Sequence, residues 1–174
     1  MSDAQRMSNE PSDRETAAHR GDKLELRLWL RLLTCSSLIE REIRNALRQN
    51  FDTTLPRFDL LAQLDRAPDG LTMGELSGRM MVSAGNITGL TDRLVEEGLV
   101  KRTTSEHDRR SSRVRLTPEG KRAFDAITPI HEHWLESMMG ELTREEMRAL
   151  MTLLAKLKNS ARSHAPGNNS GEDA

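Results

Sequence analysis

Ser83–Leu99, SAGNITGLTDRLVEEGL, constrains the fold more than any other stretch of the chain. Ile87, Leu90, Leu94 and Val95 recur at helical spacing and define an inward stripe. Ser83 stands just before the first periodic residue, where a side-chain oxygen caps the free N–H groups of a helix start. Gly98 ends the helix, and Leu99 begins an extended segment. At about 100° per residue, Gly85, Thr88, Gly89 and Asp92 fall opposite the core stripe. Two glycines inside a helix cost roughly 1 kcal/mol each relative to alanine. A solvated face does not need them, whereas a face that another surface approaches closely does. DNA base edges and phosphates fit that description. So does a second helix of the same protein, and the helix alone leaves both open.

The flanking segments favour the first reading. Upstream, Thr72-Met73-Gly74-Glu75 matches a capping box, in which the threonine caps and the glutamate reaches back. It predicts a short helix to Arg79 with Leu76 and Met80 facing inward, followed by a turn at Met81-Val82. A short helix, a tight turn and a second helix with a polar outer face make a helix-turn-helix. Downstream, Gly98–Thr104 reads as a strand. Ser112–Leu116 alternates, with Val114 and Leu116 in and Arg113 and Arg115 out. The polar run Ser105–Ser111 joins them into a β-hairpin, a wing beside the helix-turn-helix. Lys101, Arg102, Arg109, Arg110, Arg113 and Arg115 concentrate positive charge there, although the whole chain carries a formal charge of only -1. Binding to a polyanion therefore has to come from this local patch rather than from bulk charge.

Long helices flank this lobe. Leu24–Phe51 carries Leu28, Leu32, Cys35, Ile39, Ile43, Ala46 and Leu47 at i, i+3/i+4 steps. Leu26, Trp29, Leu30, Leu33 and Leu38 widen its N-terminal half into a surface apolar nearly all round, expected to pack against its own domain and a partner chain. Asp52–Thr54 breaks the helix, with Thr54 as the next N-cap and Pro56 in the first turn. Phe58, Leu60, Leu61 and Leu64 carry a second helix to about Arg66, and Pro68-Asp69-Gly70 is a turn. Thr117-Pro118 opens a helix lined by Phe124, Ile127, Ile130, Trp134, Leu135 and Met138, with a kink expected at Pro129. Thr143-Arg144-Glu145-Glu146 repeats the capping-box pattern before Met147, Leu150, Leu153, Leu154 and Leu157. The fold class is mainly α with a small β-hairpin wing. A winged helix-turn-helix lobe spans residues 55–116, and a helical dimerisation region comprises 23–51 and 117–164. A flexible arm (1–22) and tail (165–174) complete the chain.

Several function classes are disfavoured. No apolar run approaches the length of a membrane span, so no membrane role is expected. The polar N-terminus lacks a signal-peptide core. A lone cysteine excludes an intrachain disulfide framework and fits a reducing cytoplasm. No nucleophile–base set lies on a glycine-bounded elbow and no phosphate loop is present, so neither catalysis nor a cofactor is expected. His131, Glu132, His133 and His107 invite a metal reading. However, His131 and His133 point about 200° apart on a helix, poor geometry for one ion. Cys35 is a redox-sensor alternative, set against its expected burial on the first-helix stripe. A small-molecule pocket is expected among Trp29, Arg57, Phe58, Met80, His131 and Trp134, the apolar members holding an aromatic ring and an arginine or histidine meeting its carboxylate or phosphate.

The strings LPRFDLLAQL (Leu55–Leu64), LTMGELSGRMMVSAGNITGLTDRLVEEGLVKR (Leu71–Arg102) and DRRSSRVRLTPEG (Asp108–Gly120) resemble the MarR family of winged-helix regulators, over roughly Leu24–Ala161. The resemblance implies a homodimer whose first and last two helices interlock, presenting two winged lobes to one DNA duplex. It implies that Arg110 is the wing-tip arginine entering the minor groove, beside Arg109, with Asp108 holding its geometry. Ser83, Ala84, Gly85, Asn86, Thr88 and Gly89 fall on its major-groove positions, and Arg93 contacts phosphate or braces the lobe. Many members carry arginine where this chain has Ala84 or Gly89, so the resemblance does not imply which bases are read. LWLRLL, LPRFD and the GN-hydrophobic-TGL string are further similar to a branch controlling aromatic-acid catabolism, some of whose members respond to hydroxycinnamoyl-CoA thioesters. The implied protein is a ligand-responsive regulator, a repressor, released by an aromatic acid or its CoA thioester. The alternative is a winged-helix dimer acting through protein contacts.

Overall fold

A computed structural model of the chain describes residues 23–104 and 112–164. Its elements run α1 (Leu24–Phe51), α2 (Leu55–Asp65), β1 (Leu71–Thr72), α3 (Met73–Met80), α4 (Ala84–Glu96), β2 (Val100–Thr104), β3 (Ser112–Leu116), α5 (Pro118–Met138) and α6 (Arg144–Ser163). The chain forms two compact units, Met1–Glu132 and His133–Ala174.

In the first unit, α2, α3 and α4 pack with a small antiparallel sheet ordered β1-β3-β2. The sequence predicts the β2–β3 hairpin; the third strand is new. Leu71 pairs with Val114 and Thr72 with Arg113, so the chain enters α3 from the sheet. Ile43 and Leu47 of α1 are buried, as are Phe58, Leu60, Leu61 and Leu64 of α2, and Leu76, Ile87, Leu94, Val100, Val114, Phe124 and Ile127. The α4 stripe differs from expectation in one register. Thr91 is 0% exposed whereas Val95 is 37% exposed. Ile87, Thr91 and Leu94 lie within about 60° of one another around the helix, which leaves Val95 at the edge of that face.

Local chemistry fixes the element ends. Thr72 Oγ1 accepts from the Glu75 N–H at 3.2 Å, and the Glu75 carboxylate accepts from the Thr72 N–H at 2.7 Å. Thr54 begins α2 without a side-chain cap bond; its carbonyl instead accepts from Arg57 and Phe58. Gly98 has φ 72°, allowing the reversal that lets the Leu99 N–H bond the Leu94 carbonyl at 2.9 Å. Thr117 caps α5 by accepting from the Gly120 N–H at 3.0 Å, and it donates to the Gly98 carbonyl at 2.6 Å. Gly120 lies against the strand entry, where a Cβ would stand 1.9 Å from the Leu99 carbonyl oxygen. α5 is assigned continuously through Pro129.

Two expectations about α1 are corrected. Its N-terminal half was expected to be buried partly by its own domain, yet Leu24, Leu26, Leu28 and Leu38 are exposed and Trp29 is 58% exposed. Cys35, expected to be buried, is exposed. Leu30, Leu32 and Leu33 are half-buried, so the described residues cover this apolar surface only in part. In the second unit, α6 begins with the expected capping box at Thr143 and Glu146. None of its residues is buried, and Leu150, Met151, Leu153, Leu154 and Leu157 are exposed. No helix among the described residues is long and apolar enough to cross a membrane.

Candidate nucleic-acid interface

The α3–α4 turn is short and internally bonded. Met81 adopts the left-handed conformation (φ 54°) and its N–H donates to the Ser77 carbonyl. Ser77 Oγ then donates to the Val82 carbonyl at 2.7 Å. Ser83 starts α4 as expected, its Oγ accepting from the Asn86 N–H at 3.4 Å. These bonds hold the entry of α4, leaving the surface of its first turns to Ala84, Gly85, Asn86 and Thr88, all exposed. Gly89 is half-buried and Arg93 exposed. Thr88 Oγ1 donates to the Ala84 carbonyl at 2.9 Å, which keeps its hydroxyl close to the helix. A Cβ added at Gly85 or Gly89 meets nothing within 4 Å. Among the described residues the glycines therefore do not admit a neighbouring helix, which disfavours the alternative reading of them. A shallow groove of about 310 Å³ runs beside them, lined in part by Pro56, Met80, Leu90 and Arg93.

The wing cations divide into two groups. Three are held by their own lobe. Arg102 pairs with Asp92 of α4 at 2.6 Å. Arg113 Nη1 donates to the Gly70 carbonyl at 2.8 Å and faces Glu75 at 3.7 Å, and Arg115 Nε donates to the Asp69 carbonyl at 3.0 Å. These side chains brace the hairpin against the turn before β1 and against α4, so they are not the free basic patch that composition alone implied. Asp92, expected on the outward face of the helix, belongs to the same bracing. Asp108, Arg109 and Arg110 lie outside the described residues, as does His107.

Of the residues expected to hold a small molecule, Phe58 and His131 come together. Phe58 is buried, with its ring 5.4 Å from Phe124 and 4.6 Å from the His131 ring. Phe124 was read from sequence only as core; aromatic proximity across 66 residues has no signal in periodicity. Burial holds the His131 imidazole below its ordinary pKa. Met80 lines the groove beside α4, Trp29 lies on the exposed half of α1, and Trp134 is half-buried in the second unit. Arg57 is already engaged. Its Nη1 donates to Glu97 Oε1 at 2.6 Å and its Nη2 to Glu97 Oε2. The hydrogen-bonded guanidinium holds the Glu97 carboxyl below the usual range, and Glu97 raises Arg57 in turn. Glu97 was missed because a pair 40 residues apart leaves no local pattern. Among the described residues, no group of three or more His, Cys, Asp or Glu is placed to hold a metal ion.

The sequence model of the MarR family matches residues 51–111. An HTH-type transcriptional regulator of Bacillus subtilis, YsmB, is 33% identical over 124 residues, covering 71% of this chain and 84% of that protein. The chain belongs to the MarR family. A further relative, the transcriptional activatory protein BadR of Rhodopseudomonas palustris, is 28% identical over 140 residues, covering 78% of this chain and 79% of its own. A MarR variant from E. coli, solved in complex with operator DNA, superposes with a TM-score of 0.68 at 26% identity, over 78% of this chain and 99% of that one. MarR-family membership makes the chain a transcriptional regulator rather than an enzyme.

Proposed function

We propose that the chain is a ligand-responsive regulator that binds a palindromic operator as a homodimer. The observation that carries this reading is the outward pair Gly85 and Gly89, where an added Cβ would meet nothing within 4 Å among the described residues, on the second helix of a MarR-family helix-turn-helix. Ser83, Ala84, Gly85, Asn86, Thr88 and Gly89 face the major groove, with Asn86 available to read adenine in bidentate fashion. Arg93 meets phosphate. Arg109 and Arg110 enter the minor groove from the wing, with Asp108 orienting Arg110. The MarR–operator complex supports this use of the fold. The lobe at 55–116 reads DNA, and the helices at 23–51 and 117–164 join two copies. The apolar residues left exposed on α1, and separately on α6, support that assignment, because a soluble monomer rarely leaves so much apolar surface uncovered.

The effector in this reading is an aromatic carboxylate or its CoA thioester, and the setting is the cytoplasmic control of a catabolic operon. The buried Phe58 with His131 supplies an aromatic wall for the effector's ring, and Arg57, next to Phe58 in sequence, is the candidate cation for its carboxylate. The ligand acts by binding one lobe spacing of the dimer better than the other. Control is repression, released by the ligand; because BadR is named an activatory protein, its direction is read out directly by transcription in vitro.

The test measures binding of the purified protein to its own upstream intergenic DNA and to random DNA, with and without p-coumaroyl-CoA and free p-coumarate. Specific binding released by the thioester supports the whole reading. Specific binding indifferent to both compounds discards the effector and keeps the regulator. Arg110→Ala is expected to weaken specific binding strongly without unfolding the protein. Salt-insensitive binding with no sequence preference favours the protein-contact alternative. Release of the DNA by peroxide, lost in Cys35→Ser, favours redox sensing.

A further inference from the structure

The ion pair between Arg57 and Glu97 joins α2 to the residue that ends the recognition helix. Its placement is unusual on electrostatic grounds. The C-terminal end of a helix carries partial negative charge and favours cations. Here Glu96 is the last residue of α4 and Glu97 its C-cap, so Glu97 sits where its own helix repels it. Arg57 compensates through both of its terminal nitrogens, a geometry that fixes direction as well as distance. The arrangement is a weak stabiliser. Both side chains retain solvent access, and Arg57 Nε is buried without a hydrogen-bond partner. Its consequence is therefore geometric.

We infer that Arg57 and Glu97 are positioning residues for DNA reading: they latch the C-terminal end of α4 to α2 and so set the angle at which its N-terminal turns meet the groove. The inference rests on the DNA-binding reading above. Asp92 and Arg102 hold the helix to the wing strand on another side, at 2.6 Å. Together with the buried stripe of Ile87, Thr91 and Leu94, the two ties hold the helix in one orientation. The 13 residues of α4 form a lever of about 20 Å. A rotation of about 5° at the latch moves the first turn by about 1.7 Å over that lever. A displacement of that size takes a hydrogen bond to a base edge out of its working range. Contacts to phosphate, made by long flexible cations, absorb it. Loss of the latch should therefore reduce discrimination between sequences rather than general affinity for DNA.

The test uses the full-length protein and DNA that the unsubstituted protein selects from a random-sequence pool. Arg57→Gln and Glu97→Gln are each expected to weaken binding to the selected DNA about tenfold. Binding to random DNA should stay within about twofold. Exchanging the partners, Arg57→Glu with Glu97→Arg, should restore selected-DNA binding to within about threefold, a rescue that general unfolding does not permit. Arg57→Lys keeps the charge but loses the two-pronged geometry, and should give an intermediate loss even if the exchanged pair does not fold. Single variants that discriminate as well as the unsubstituted protein overturn the inference while leaving the DNA reading intact. So does a folded exchanged pair as weak as the singles, or an Arg57→Lys protein that binds normally. A pool that yields no preferred sequence overturns the DNA reading and the inference with it.

Discussion

Replacing Gly85 and Gly89 by alanine separates stability from function. Neither position has an atom within 4 Å of where a Cβ would stand, so the added methyl groups meet no steric resistance in the folded chain. Alanine also restricts the unfolded chain and favours the helix by up to about 1 kcal/mol per interior site. Gly89 is interior, whereas Gly85 lies in the first turn of α4, where the gain is smaller. The double variant should gain about 1–2 kcal/mol. For a chain of this size that raises the thermal midpoint by roughly 2–8 °C. Circular dichroism melts at matched protein concentration measure it, because an oligomer's midpoint depends on concentration. The same two methyl groups stand on the surface assigned to the major groove. Specific DNA affinity, measured by fluorescence anisotropy, should fall by about tenfold or more while stability rises. A lower melting temperature would refute the open-space argument. A higher melting temperature with unchanged DNA affinity would show that nothing approaches the glycine face.

Three further outcomes are expected. Gly120→Ala should destabilise by about 3 kcal/mol or more in urea unfolding, because its Cβ would stand 1.9 Å from the Leu99 carbonyl oxygen and α5 cannot yield without leaving the sheet. Thr72→Ala removes one half of the α3 capping box and should cost about 1 kcal/mol in the same assay, with Thr72→Ser recovering most of it. His131, held below its ordinary value by burial, binds a proton more readily in the unfolded chain. Its contribution to stability is full above the unfolded value of about 6.5 and falls as the pH drops from there towards the lower folded value. The thermal midpoint should therefore decline between about pH 7.5 and 5.5, and less so in His131→Phe, whose ring keeps the contact with Phe58.

Elements marked by local chemistry were legible in the sequence. α1 and β3 occupy the residues that periodicity assigns, and the capping boxes at Thr72 and Thr143 form as read. A cap or a run of alternating residues carries its cause within a few positions. What escaped depends on partners distant in sequence. β1 is two residues long, too short to show any alternation, and exists only because β3 pairs with it. Arg102, Arg113 and Arg115 look like a free basic patch until Asp92, Gly70, Glu75 and Asp69 are seen against them. Thr91 replaced Val95 in the core because a small polar residue on a buried helix face carries no hydrophobic signal. The apolar N-terminal half of α1 was recognised, but the pattern says only that it seeks cover, and the described residues supply it only in part. The candidate interface follows the same division. The α4 face was legible because its glycines are costly without a close partner, whereas the Arg57–Glu97 latch was not.

A footprint on DNA selected by the protein tests most directly whether two copies read one duplex through α4 and the wing. We expect protection of two half-sites related by a two-fold axis, about 10 bp apart centre to centre. Affinity should fall steeply with salt, as counterion release from several phosphate contacts requires. Protection of a single half-site, or weak binding with no sequence preference at any salt, would contradict that geometry.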